Sequence, residues 1–207
     1  MTAFNQLKKL SGAIALITVT VSCGDAVRQG RSPVYLVIDQ LTASSGAKSS
    51  GTQANTLQSD VVTMITTPAP CTNDAPCPTI FSDSGAVTMR ALQKDVMATA
   101  PSSNSEVTIS RYHVAYRRAD GRNTPGVDVP YAFDGAATAT TVNGVLSLSF
   151  ELVRHVAKME SPLVELGSNA AIITTIAEVT FYGRDQVGND VTVSGTLQID
   201  FGNFGDK

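Results

Sequence analysis

The chain has no tryptophan, two histidines and three cysteines in 207 residues, and only 16% of it is charged. Each scarcity excludes something. Two His leave little material for an acid–base triad, and no Gly-x-Ser-x-Gly, His-Glu-x-x-His, P-loop or dinucleotide fingerprint is present. Without Trp, the Trp-lined cleft of a typical glycan-cleaving enzyme cannot be built. Fifteen Lys and Arg against eighteen Asp and Glu give a net charge of −3, so no positive field gathers phosphates and nucleic acid is excluded as a partner. No apolar run reaches the roughly 20 residues of a spanning helix. What is abundant is Val, Thr and Ser. β-branched residues suit a pleated, half-buried surface better than a helix, which excludes a bundle or coiled coil.

The N-terminus reads as an export leader. Lys8 and Lys9 precede a largely apolar run from Leu10 to Val21, and Ser22-Cys23-Gly24 follows: a charged head, a short apolar segment and a small residue before a cut. Thr20-Val21-Ser22-Cys23 resembles the lipobox of bacterial lipoproteins. That resemblance implies cleavage before Cys23, lipid on its side chain and, with Gly24 next to it, an outer-membrane address facing periplasm or cell surface. The alternative is an ordinary secretory leader cut after Ala26. The expected organisation is therefore a signal peptide over 1–22, a lipid-anchored tether over 23–33 and one domain over 34–207. Removing the leader takes two lysines and no acid, leaving a net charge of −5. In an oxidising compartment, Cys71 and Cys77, flanked by prolines, are expected to form a structural disulfide; free thiols or a metal site are the alternatives.

Beyond the tether the chain reads as strands between loops. Runs are expected over 34–41, 57–67, 85–97, 107–118, 127–133, 145–156, 170–183 and 191–201, with 42–56 a Ser/Gly-rich loop. In 107–118, Tyr112, Val114 and Tyr116 alternate with Arg111, His113 and Arg117. The run 170–183 is the most apolar of the mature chain and is expected to be central and buried on both faces for part of its length. Asn143-Gly144 and Asp185-Gln-Val-Gly-Asn-Asp190 are tight-turn signals. The fold class expected is all-β, an antiparallel immunoglobulin-like β-sandwich of about eight or nine strands. Phe181-Tyr-Gly-Arg-Asp-Gln-Val-Gly-Asn-Asp-Val-Thr-Val is similar to the last hairpin of bacterial immunoglobulin-like domains, and Arg111 to Gly121 is similar to the C–C′ region of fibronectin type III domains. As a whole the chain resembles bacterial envelope lipoproteins bearing such a sandwich.

Candidate functional residues are few. Arg111, Arg117, Arg118 and Arg122 crowd one hairpin of an acidic protein, with Tyr112 beside them, and Arg and Tyr are enriched in binding hot spots. They are the candidate contact surface for a protein or polysaccharide; a solvated sheet face with edge charges is the plainer reading. Asp185, Asn189 and Asp190 are a weak calcium candidate, since calcium takes six to eight oxygens and one turn supplies at best half. His113 and His155 fall in strand runs and read as surface side chains. No catalytic residue and no cofactor is expected. The expected function is a non-enzymatic, lipid-anchored envelope protein that binds a protein or polysaccharide; a periplasmic hydrolase or metal enzyme, or a structural subunit of a surface assembly, are the alternatives.

Overall fold

The computed structural model describes residues 30–47, 53–97 and 102–205. The leader 1–22 and Cys23 lie outside the described residues. The last residues of the expected tether already belong to the domain. Ser32 is buried and its hydroxyl accepts the Val34 N–H, while the Gly30 carbonyl accepts the Lys94 ammonium.

Ten strands follow: β1 Val34–Ser44, β2 Thr56–Asp60, β3 Thr63–Ile65, β4 Cys77–Thr79, β5 Asp83–Gln93, β6 Val107–Arg118, β7 Phe133–Thr140, β8 Val145–Val153, β9 Ile173–Asp185 and β10 Asp190–Gly202. They form a three-stranded sheet, β1-β5-β8, packed on a five-stranded sheet, β2-β10-β9-β6-β7, with β3-β4 as a separate hairpin. All pairings are antiparallel except β2 with β10. The protein is an all-β sandwich.

Period-two alternation sets the faces. Val87, Met89 and Ala91 of β5 and Leu146, Phe150 and Leu152 of β8 point inward; they meet Val107, Ile109, Tyr112, Val114 and Tyr116 of β6 and Ala177, Val179 and Phe181 of β9. Burying a side chain of this size contributes about 1.5–3 kcal/mol. The aromatic centre joins both sheets: Phe150 of the smaller sheet lies 5.2 Å from Tyr112 and 5.3 Å from Phe181 between ring centroids. Two hydrogen bonds also cross the sandwich, Tyr116 Oη to the Leu152 carbonyl at 2.6 Å and the Glu151 N–H to Tyr112 Oη at 3.2 Å.

Three expectations change. The run 57–67 breaks in two, because Val61 turns fully into the core and gives its N–H to the Gly202 carbonyl. The segment 127–133 is a compact turn rather than a strand: the N–H groups of Val127, Asp128 and Val129 all point to the Thr124 carbonyl, and Gly126 takes a positive φ of 75°. The strand in its place, β7, is poor in strand-forming residues and pairs along one edge of β6. Finally, β9 is central, yet it alternates buried and outward residues along its length, because the smaller sheet packs on one face of the five-stranded sheet and the side chains of the other face point outward.

The crossover from β8 to β9 carries one helical turn, α1 (His155–Lys158), and a 3-10 turn at Val164–Ser168.

Candidate functional site

The outer face of the five-stranded sheet carries the first site. Between Ile109 and Arg111 a β-bulge interrupts the pairing of β6 with both β7 and β9. A bulge adds one residue to a strand and re-aims the side chains beside it. Here it exposes Ser110 and Arg111 in succession, where strict alternation would hide one of them. Gly183 of β9, opposite Ile109, makes room: a Cβ there would lie 2.5 Å from the Thr108 carbonyl oxygen.

Register then places Arg111 directly across from Tyr182, and Tyr182 across from Thr192 of β10. The Arg111 guanidinium stacks on the Tyr182 ring at 3.8 Å and reaches Asp134 of β7 at 3.3 Å. Arg184, one outward position further along β9, bonds Asp190 at 2.7 Å. Thr108, Ser110, Arg111, Tyr182, Arg184, Asp190 and Thr192 line a shallow groove of about 630 Å³. Its polar side-chain atoms are hydroxyls, arginine N–H groups and the Asp190 carboxylate, and its one aromatic ring is held by a cation.

The five residues expected to form one contact surface separate. Arg111 joins the groove. Arg117 lies on the same face but six residues along, about 20 Å away at the usual strand rise, and bonds Glu178 at 3.0 Å. Arg118 and Arg122 turn to the loop after β6, where both grip Asp120, at 2.8 and 2.7 Å. The hydrogen bonds from the Arg122 side chain and backbone, joined by Arg118, hold the Asp120 carboxyl at a pKa of about 2. Tyr112 is 4% exposed and belongs to the core, where burial pushes its phenol pKa up. Each of the four arginines therefore has an acid partner, and the cluster is not a free cationic patch. Tyr182 and Arg184 escaped the sequence reading. Their signal was the alternation Tyr182–Arg184 within 173–185, but only the register brings it beside Arg111.

The weak calcium candidate is consumed by its own turn. Asp185 Oδ1 accepts the N–H groups of Val187 and Asn189, its Oδ2 accepts the Asn189 amide, and Asp190 is committed to Arg184. Burial raises the Asp185 pKa, but the bonds from Asn189, Ser32 and Val187 outweigh it and leave the carboxyl below its ordinary range. Gly188 supplies the positive φ, 92°, that closes the turn. Among the described residues no cluster of His, Cys, Asp and Glu is arranged to hold a metal. His113 sits on the outer face with Nδ1 3.2 Å from Asp134, and His155 is exposed on α1. Cys71 and Cys77 form a disulfide. Among the described residues no helix is long and apolar enough to cross a membrane.

A second concentration of chemistry lies inside the sandwich, and no motif announced it. Lys158, the last residue of α1, has its ammonium 2.9 Å from Asp83 Oδ2 at the start of β5, and both side chains are 0% exposed. Ser59 of β2 donates to the same oxygen at 2.6 Å, the Gly46 N–H donates to Oδ1 at 3.0 Å, and the Asp60 carbonyl accepts from Lys158 at 2.8 Å. Nearby, Ser45, Gln58, Asp60, Thr63, Met64, Thr67 and Phe204 are among the residues lining an open cleft of about 880 Å³.

No family model, curated protein or solved structure matches this chain.

Proposed function

We propose that this protein is a non-enzymatic binding module held at the bacterial cell envelope by a lipid on Cys23, and that its ligand is a polysaccharide bound along the outer groove of the five-stranded sheet. One observation carries the ligand class: Arg111 stacks on Tyr182 and pairs with Asp134 at a groove whose lining combines the hydroxyls of Thr108, Ser110 and Thr192 with the Arg184–Asp190 ion pair. A guanidinium has five N–H donors in a rigid fork. With its plane set by the ring, the donors not used on Asp134 can meet sugar hydroxyls with little further ordering, which is where affinity is usually lost. Thr108, Ser110 and Thr192 both donate and accept, as sugar hydroxyls do. The groove is shallow and runs across strands, which suits a segment of a long chain better than a small molecule enclosed in a pocket. Lys8, Lys9, the apolar run and Cys23 support export and anchoring.

The test is binding to envelope polysaccharides, on arrays and by co-sedimentation, with Arg111→Ala and Tyr182→Ala. Each substitution should weaken binding by about tenfold, the equivalent of roughly 1.4 kcal/mol. Unchanged binding in both variants removes the groove from the proposal. For the anchor, Cys23→Ser in the full-length chain should move the protein from the membrane fraction to the soluble one; a variant that stays with the membrane defeats the lipid assignment.

A further inference from the structure

We propose that Lys158 and Asp83 condense to an amide, so that an intramolecular covalent bond ties α1 to β5. An amine and a carboxylate, brought together from segments far apart in the chain, lie 2.9 Å from each other with both side chains withdrawn from water. Their surroundings are those an acyl-transfer step needs. The Gly46 N–H at Oδ1 polarises the oxygen that is kept and stabilises the negative charge it gains as the amine adds. The Ser59 hydroxyl, 2.6 Å from Oδ2, sits on the oxygen that leaves. The Asp60 carbonyl also accepts from the Lys158 nitrogen, at 2.8 Å, and restrains its position. A short movement of Nζ from Oδ2 toward Cγ brings it into line for addition.

The step balances without any co-reactant. The ammonium passes one proton to the Asp83 carboxylate, giving a neutral amine and a carboxylic acid. The amine lone pair forms the Nζ–Cγ bond. A second proton moves from nitrogen to the departing oxygen, relayed by the Ser59 hydroxyl, the Cγ–Oδ2 bond breaks, and one water leaves. Two features of the site favour this in a way bulk water does not. Fixed neighbours react as if at about 10⁵–10⁸ M when well aligned. A dry interior also penalises two ions more than the neutral amide that replaces them. In the product the amide N–H keeps the Asp60 carbonyl and the amide carbonyl keeps the Gly46 N–H, while the Ser59 hydroxyl loses Oδ2 and must turn to the remaining carbonyl oxygen.

The bond would lock the crossover between the two sheets, a useful brace for a domain pulled against a tether. It stands whether or not the groove binds polysaccharide. Peptide mapping of the reduced, denatured full-length protein tests it. The expected result is a branched peptide containing Asp83 and Lys158, lighter by one water than its two arms together, with trypsin failing to cut after Lys158. The full-length Lys158→Arg variant, which keeps the charge but lacks the primary amine, should return linear peptides of full mass. Linear peptides from the native protein, with normal cleavage after Lys158, overturn the proposal and leave an ion pair only. A water loss that persists in Lys158→Arg places the dehydration elsewhere and overturns it equally.

Discussion

The outer sheet face and the interior beneath α1 hold the same kinds of groups, cations against carboxylates, at nearly the same separations. Arg117 meets Glu178 at 3.0 Å, and Lys158 meets Asp83 at 2.9 Å. Geometry alone does not distinguish them; water does. On the outer face the Arg117 and Glu178 side chains are 60% and 40% exposed, so solvent screens the attraction and competes for every donor. In the interior Lys158 and Asp83 have only protein partners, whether they stand as an ion pair or are joined as the proposed amide, so the loss of either member is felt in full. Exposed charge pairs of this kind contribute little to stability, whereas breaking a buried one weighs on whether the fold persists.

The largest break of that contrast should come from Lys158→Ala, which strands the Asp83 carboxylate in a dry interior. A loss of about 3–5 kcal/mol is expected in denaturant unfolding, and a loss under 1 kcal/mol would show that water reaches the site. Next is the disulfide, which closes a short loop on the separate β3-β4 hairpin. Replacing Cys71 and Cys77 together by Ser should lower stability by at most about 2 kcal/mol by the chain-entropy argument, because the hairpin lies outside the two main sheets. Asp185 comes third, buried like Asp83 but bonded to the amides of its own turn rather than to a cation. Its folded pKa is depressed, so its contribution is present above the ordinary carboxylate range and is lost as pH falls through the folded value. Asp185→Asn should therefore be less stable than the native chain near neutral pH, by about 1–2 kcal/mol. The gap should close in acid, and a gap that stays constant from pH 7 to pH 2 would show the charge to be irrelevant. Smallest is Arg117→Ala, expected to cost under about 1 kcal/mol, an effect that shrinks further in high salt. A larger, salt-independent loss would place that pair with the buried class.

How much of this was legible in the chain depended on whether the signal was local. The segment 107–118 announced its strand and both its faces, because alternation is a property of neighbours, and β6 occupies those same residues. Asn143-Gly144 and Gly188 announced their turns, because positive φ is a property of single residues. Past Phe133, Asp134–Thr140 announced little: Gly, Ala and Asp have little preference for strand, and the neighbouring edge of β6 organises them. Tyr112 was misassigned to the surface for a related reason. It lies on the tyrosine face of β6, next to arginines in sequence and opposite them in space.

The sequence by itself determined the all-β class, the turn positions, the disulfide partners and the inward side of most strands, since period and composition are short-range. Register, the Ser110 bulge and the meeting of Lys158 with Asp83 were decided only by the tertiary structure. Pairing Arg111 with Tyr182, or an amine with an acid across the sandwich, depends on how distant segments slide past one another. No local preference encodes that; the fit of both sheets around one dry core does.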